Sequence, residues 1–254
     1  MASPGLLTDP RTTLLSCALD ATARAWLDEA TAKVTGRPAA IRALFPAVRR
    51  RCGHTRLDEH WTVDEAARAV LLTALPLRGE ALAEELTGLH RHGDPAEQRA
   101  VLRALPLLDP GAPEGAGDLG DLALPLVRET LRGNDSTLIE AALGTYTAAR
   151  LPDVEYRQAV LKCVFYEIPL DRVTGLDTRA DRELARMLAD FAHERAVAGR
   201  EIPAGVQPLV RAFPDVVGDG LAALVDEFAA LRAEPAPTPH KPGAEQGSDA
   251  KEQA

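Results

Sequence analysis

The chain has 254 residues, a mass of 27.1 kDa, a formal net charge of −9 and a pI near 5.2. This acidic balance argues against a general affinity for nucleic acid, because binding to phosphates needs a basic surface. Hydrophobic residues make up 46% of the chain and aromatic residues only 4%, so the core has to be built from Leu, Ala and Val. Leu and Ala are strong helix formers, and the composition therefore favours an all-α fold.

The cysteines and the apolar runs indicate the compartment. The chain has three cysteines, an odd number, and they lie far apart in sequence at Cys17, Cys52 and Cys163. This pattern predicts free thiols in a reducing cytoplasm rather than a disulfide framework. A signal peptide has a basic segment followed by an apolar one, and the first residues show no such pattern. No apolar run approaches the roughly 20 residues that span a bilayer. We therefore expect a cytoplasmic protein with no direct membrane span.

Apolar residues recur at helical spacing along most of the chain and predict an irregular array of about ten amphipathic helices. The first helix follows Pro10 and the second follows Pro38. Thr62 and Glu65 have the spacing of a capping box, which predicts the start of a third helix. Further helices are predicted over residues 79–92, 94–107, 121–132, 135–150, 153–167, 177–198, 203–213 and 215–231.

The same pattern predicts the domain organisation. Residues 1–9 form an N-terminal extension, and residues 10–232 form a single helical domain. Residues 233–254 are rich in Pro, Ala, Gly and charge and lack large apolar side chains. Because such a segment cannot bury enough surface to offset its ordering entropy, we expect a disordered tail there.

Two of the predicted helices contain a weak internal repeat. The run AVLRA at 100–104 aligns with AVLKC at 159–163. The turns at 93–94 and 134–135 lie about one HEAT repeat apart, since such repeats have roughly 40–47 residues. Two interpretations stay open: a HEAT-like α-solenoid of stacked helix pairs, or a chance similarity between helices rich in Ala and Leu.

The predicted helix over residues 153–167 is apolar around most of its circumference. On a helical wheel, Leu161 and Phe165 extend a broad apolar face, and Gln158 and Lys162 form one narrow polar edge. This pattern predicts a helix near the centre of the domain, buried on most sides. The broad apolar face consists of Tyr156, Ala159, Val160, Cys163 and Val164.

Three side chains of this helix have both a structural and a functional interpretation. Cys163 lies in the apolar arc, and such a thiol is more often an inert hydrophobe than a nucleophile. The Lys162 ammonium either reaches water beyond its apolar stem or faces a pocket for an anionic or carbonyl-bearing ligand. Arg157 falls in the apolar sector and needs a partner, either a carboxylate on an adjacent helix or an anionic group of a ligand.

The helix over residues 177–198 adds two polar candidates. Asp177 is its predicted N-cap. Glu194 lies on the flank of the core stripe, and Arg195 extends past that stripe toward a junction between helices. We predict that the polar heads of both helices converge. The candidate ligand-binding cluster consists of Arg157, Lys162, Glu194 and Arg195.

No motif predicts a metal, a cofactor or a catalytic centre. The chain contains no C-x-x-C or H-E-x-x-H spacing, no Gly-rich phosphate loop and no G-x-S-x-G elbow. We therefore expect no cofactor and no metal, and we assign no catalytic residue.

Four segments together resemble the EboA-type family of bacterial proteins, and the similarity extends over most of residues 10–210. Its most specific parts are RQAVLKC and HERAVAGR, whereas FYEIPL at 165–170 departs from the small, often Gly-containing segment of the family. The four segments are WTVDEAARAVLL at 61–72, NDSTLIEAALGTYTA at 134–148, YRQAVLKCVFYEIPL at 156–170 and GLDTRADRELARMLADFAHERAVAGREIP at 175–203.

The resemblance implies a function that the composition does not. Proteins of this family are encoded in bacterial gene clusters with a prenyltransferase and other enzyme-like products, which become the expected partners. They are associated with moving secondary-metabolite precursors from the cytoplasm toward the periplasm. The resemblance supplies no established catalytic residue.

Three functions follow as alternatives. The first is a cytoplasmic helical adaptor or carrier that binds a hydrophobic or anionic metabolite in a cleft between helices. The second is a HEAT-like interaction module that recognises a partner chain. The third is an enzyme acting on an isoprenoid-derived precursor, with Lys162 or Glu194 in acid–base chemistry and Arg157 holding an anionic group.

Overall fold

The computed structural model describes Leu15 and residues 17–109 and 119–215, and within these ranges the fold is all-α. The described residues contain no β-strand, only an isolated antiparallel bridge between Arg56 and Thr62. The predicted fold class is therefore confirmed. None of the described helices has the length and apolar character needed to cross a membrane. The predicted extension at 1–9, the tail at 233–254 and nearly all of the helix at 215–231 lie outside the described residues.

The helices are numbered here in chain order. Short 3₁₀ helices lie at Pro38–Ala40, Gly120–Ala123 and Leu170–Arg172. The α-helices are α1 Ala21–Gly36, α2 Ile41–Cys52, α3 Val63–Thr73, α4 Gly79–His92, α5 Pro95–Leu108, α6 Leu124–Arg132, α7 Ser136–Ala142, α8 Thr145–Arg150, α9 Asp153–Phe165, α10 Leu176–Arg179, α11 Arg182–Val197 and α12 Val206–Arg211.

Two predicted helices are each divided in the structure. The helix at 135–150 is interrupted at Leu143 and Gly144, and α8 begins after that glycine. The helix at 177–198 is interrupted by extended backbone at Ala180 and Asp181. The predicted N-cap at Asp177 is wrong, because it is the carboxylate of Asp181 that accepts the Leu184 N–H, at 2.9 Å.

Alternate helices pack side by side. α3 packs against α5, α5 against α7, α7 against α9 and α9 against α11. α2, α4 and α6 each pack against the helix that follows them. The result is a series of neighbouring helix pairs, whose assignment as HEAT-like repeats stays a prediction.

The turn between α4 and α5 brings two helix ends into close contact. A Cβ at Gly93 would lie 2.7 Å from the Leu89 carbonyl oxygen and 2.9 Å from the Glu97 Cβ. These distances are too short for any side chain, so glycine permits the approach. The tight turn fixes the start of α5, and with it Glu97, against the end of α4.

α9 is buried on one face and exposed on the other, so it does not run through the centre of the domain. The predicted apolar face is buried throughout, from Tyr156 to Val164. On the opposite face Val154 is 60% exposed and Phe165 is 67% exposed. The prediction of burial on most sides is therefore wrong, because the contacts with α7, α11 and the Leu170–Arg172 turn cover one side of the helix.

Candidate functional site

Arg157 pairs with the residue that caps the next long helix. Its Nη2 donates to Asp181 Oδ2 at 2.7 Å, and its Nε lies 3.0 and 3.1 Å from the two carboxylate oxygens. This hydrogen bond with Arg157 is the main reason why the pKa of Asp181 lies below its ordinary value. The structural interpretation of Arg157, a pair with a carboxylate on an adjacent helix, is confirmed.

Lys162 caps the C-terminal end of α6. Its Nζ donates to the carbonyl oxygens of Leu131 and Gly133, each at 2.6 Å. The ammonium also lies 5.6 Å from the centroid of the Tyr166 ring. Cations are favoured at this end of a helix because the last carbonyls have no partner within the helix.

Glu194 and Arg195 lie near the other end of α11. Glu194 is exposed. Arg195 Nη2 lies 3.6 Å from Glu167 Oε1, and its Nε donates to the Glu201 carbonyl. Helical rise places Arg195 about 20 Å along the axis from Asp181, the partner of Arg157. The structure thus gives Arg157, Lys162 and Arg195 separate partners and leaves Glu194 exposed. A ligand-binding role for the four residues stays a prediction.

A buried network of charged residues at the N-terminal ends of α3 and α5 was missed by the sequence analysis. Asp64, Glu65, Arg68 and Glu97 are all buried, and Arg68 has no exposed surface. Glu65 and Glu97 both occupy the third position of their helices and complete capping boxes with the N-cap residue. Helix N-termini favour carboxylates, which explains why two buried glutamates lie there.

Arg68 links three helices. Its Nη1 donates to Asp64 Oδ2 at 2.8 Å, and its Nη2 lies 3.5 Å from Glu97 Oε1. Its Nε donates to the Phe45 carbonyl oxygen at 3.2 Å, and the guanidinium lies 5.5 Å from the Phe45 ring centroid. A buried cation with these partners holds α2, α3 and α5 in one arrangement.

Glu65 extends the network toward α7. It accepts hydrogen bonds from Arg99 Nε at 2.8 Å and from Arg103 Nη1. Arg99 also donates to Thr137 Oγ1 at 3.3 Å, in the first turn of α7. One signal for this network was present in the sequence: the capping box at Thr62 and Glu65 was predicted, although its arginine partners were not.

A groove of about 690 Å³ lies between α2 and α4, beside the buried network. Its polar lining residues are Arg42, Glu84, Glu85, His92 and Glu97. Arg42 and Glu85 form an ion pair across it, with 2.8 Å between Nη2 and Oε2, and Glu97 also lines it. Ligand sites in proteins have this size and this mostly apolar character. The apolar lining consists of Pro38, Ala39, Phe45, Pro46, Leu77, Ala81, Gly88 and Leu89.

Glu97 lines the groove with a buried carboxyl group. Burial raises the pKa of its carboxyl above the ordinary value, and the neighbouring Asp94 carboxylate adds to the increase. Arg68 acts in the opposite direction without cancelling it. A ligand that donates a hydrogen bond to this carboxylate stabilises its charged form.

Desolvation affects the thiols of Cys163 and Cys52. Cys163 is buried, and desolvation raises the pKa of its thiol to about 12. Desolvation also raises the pKa of Cys52 to about 11. The predicted burial of Cys163 in the apolar face is confirmed, and its lack of reactivity stays a prediction. In the part of the chain that the structure describes, no group of three or more His, Cys, Asp or Glu residues is arranged to hold a metal ion.

A comparison with family models identifies a family. The model of the family described as metabolite traffic protein EboA matches residues 47–211, well over half of the chain. This range contains the whole buried network and the α4 wall of the groove. No curated protein and no solved structure matches the chain.

Proposed function

The chain belongs to the EboA family of metabolite traffic proteins, and we propose that it binds a metabolite precursor in the groove between α2 and α4 and acts as a carrier. In this role the protein works in the cytoplasm, as a helical adaptor in the movement of a secondary-metabolite precursor toward the periplasm. Its partners are other proteins of the same gene cluster, including a prenyltransferase. The chain itself performs no reaction on the precursor.

The observation that best supports this proposal is the groove itself. Its volume of about 690 Å³ suits a molecule with a substantial apolar body. The apolar walls contributed by Phe45, Leu77 and Leu89 favour a hydrophobic precursor. The buried Glu97 carboxyl favours a hydroxyl or amine on that precursor, since either group donates a hydrogen bond.

A second candidate function, a module that recognises a protein partner, is favoured by α9. Val154 and Phe165 are large apolar side chains, both more than half exposed on one face of this helix. The enzyme hypothesis has less support. Lys162, one of its proposed acid–base groups, donates to two backbone carbonyls and is engaged in capping α6.

Comparative metabolomics of a deletion strain tests the proposed function. We expect the precursor to accumulate in the cytoplasm, chemically unaltered, because transport fails while synthesis continues. The strain is complemented with the wild type, with Gly88→Leu, which places a side chain in the groove, and with Gly36→Leu as the matched control. Gly36 ends α1 and is exposed, and a Cβ there meets nothing within 4 Å.

The complementation results separate the proposals. A carrier predicts normal export with Gly36→Leu and cytoplasmic accumulation with Gly88→Leu at equal protein level. An enzyme predicts that the deletion strain lacks the later product and accumulates the substrate of the missing step. Full export with Gly88→Leu would contradict a role for the groove.

A further inference from the structure

We propose that a second cleft, separate from the groove, binds a compact anionic group, a carboxylate or a phosphate, between Arg103 and Arg172. The cleft has a volume of about 210 Å³ and shares no lining residue with the α2–α4 groove. It lies entirely within the residues that match the family model. The inference goes beyond the proposed carrier function and does not depend on it.

The cleft has apolar walls and a charged side. Trp61, Leu102 and Tyr146 contribute to the walls. Arg103, Glu140 and Arg172 form the charged side, with exposed His60 and Asp171 also lining the cleft. A volume below the roughly 300 Å³ of the smallest drug-sized pockets suits a small acid or one anionic group of a larger molecule.

Arg103 is held in place before any ligand arrives. Its Nη1 donates to Glu65, which is 1% exposed and also binds Arg99. The other amino group of Arg103, Nη2, lies 4.0 Å from Glu140 Oε1, a distance beyond a hydrogen bond. A guanidinium anchored on one side presents its remaining donors in a fixed orientation, which favours recognition of planar or tetrahedral anions.

Glu140 lies between the two arginines and is held loosely by both. Arg172 Nη1 lies 3.2 and 3.4 Å from the two carboxylate oxygens. Charge-assisted hydrogen bonds are typically about 2.7–2.9 Å long, and the pair of Arg150 with Asp109 has two at 2.8 Å. The Glu140 carboxylate thus occupies a position between two cations without making close bonds to either.

This geometry points to Glu140 as an internal substitute for the anion of a ligand. A ligand carboxylate or phosphate that enters the cleft displaces the Glu140 side chain toward solvent and bonds to both guanidiniums. Removing the charge of Glu140 removes the competitor and leaves both arginines in place. The proposal therefore predicts that Glu140→Gln strengthens anion binding, whereas loss of Arg172 weakens it.

Isothermal titration calorimetry with inorganic phosphate, pyrophosphate and benzoate tests this on the full chain. We expect Glu140→Gln to bind at least one of these probes about tenfold more tightly than the wild type. Arg172→Ala should lose that binding, and because Arg172 is exposed, this substitution leaves the core intact. Arg186→Ala, which removes an exposed arginine on α11, is the matched control and should bind as the wild type does.

The three probes distinguish the two kinds of anion. Binding of benzoate indicates a site for a carboxylate beside an aromatic wall, and binding of phosphate or pyrophosphate indicates a site for a phosphate group. Circular dichroism confirms that each variant is folded, and Arg172→Gln replaces Arg172→Ala if the latter unfolds. Failure of all three probes to bind to both the wild type and Glu140→Gln would overturn the proposal. Equal affinity of Arg172→Ala and the wild type would also overturn it, because the probe would then bind elsewhere.

Discussion

The Arg68 guanidinium and the Asp64 carboxylate form a buried ion pair, with 2.8 Å between Nη1 and Oδ2. The two residues are four positions apart on α3, so helix geometry alone brings them together. Their further contacts with Phe45 and Glu97 extend the pair to α2 and α5. The pair thus connects α2, which forms one wall of the groove, to α3 and α5.

Substituting Arg68 with Met should severely destabilise the fold. Removing one partner of a buried pair leaves an uncompensated charge, and Asp64 and Glu97 would both lose their cation. We expect the free energy of unfolding in urea to fall by about 3 kcal/mol or more. Arg186→Ala breaks exposed pairs with Glu183 and Asp190 and should leave stability nearly unchanged. Similar stabilities for the two variants would show that the buried pair is not structural.

Lys162→Met should remove the hydrogen bonds that cap the C-terminal end of α6 and preserve most of the side-chain volume. The carbonyl oxygens of Leu131 and Gly133 would lose a charged donor, which predicts a loss of about 1–2 kcal/mol in the free energy of unfolding. Lys33→Met is the control, because Lys33 pairs with Glu29 at an exposed site. An unchanged urea midpoint for Lys162→Met would contradict the capping role.

His90 should make the protein sensitive to mild acid. Burial lowers the pKa of His90 below its ordinary value, although the carboxylate of Glu129 acts in the opposite direction. The unfolded chain therefore binds this proton more readily than the folded one. The stabilising effect is complete above the unfolded pKa of about 6.5 and is lost as the pH falls through the lower folded pKa.

The measurement compares wild type and His90→Gln by urea denaturation at pH 7.5 and pH 5.5. We expect the wild type to lose more stability than the variant between these two pH values. The difference isolates His90, because the other histidines are present in both proteins. An equal loss in both would mean that His90 titrates alike in the folded and unfolded states.

Cysteine labelling should follow burial. At pH 8, Ellman's reagent should react with exposed Cys17 in the native protein and with Cys163 only after denaturation. The cause is the combination of inaccessibility with a thiol pKa raised to about 12. Cys163→Ala should therefore leave the native labelling unchanged and remove one thiol from the denatured count. Rapid native labelling of Cys163 would indicate a reactive thiol.

Local sequence patterns predicted most of the fold but little of the site. The helix over Gly79–His92 was predicted with the bounds it has in the structure, because its apolar spacing and flanking turns are local signals. The exposure of Val154 and Phe165 was not predictable, since it depends on which helices pack against α9. The network of Glu65 with Arg99 and Arg103 depends on the packing of α3 on α5, and no spacing within one helix encodes it.

Binding of N-phenyl-1-naphthylamine, a neutral apolar fluorophore, tests the central claim most directly. Gly88 lines the groove and a Cβ there has no atom within 4 Å, so Gly88→Leu introduces its side chain at an open position of the groove wall. We expect saturable fluorescence enhancement with the wild type and with Gly36→Leu, and an affinity about tenfold lower with Gly88→Leu. Equal binding by Gly88→Leu and the wild type, or no saturable binding by the wild type, would contradict a carrier that uses this groove.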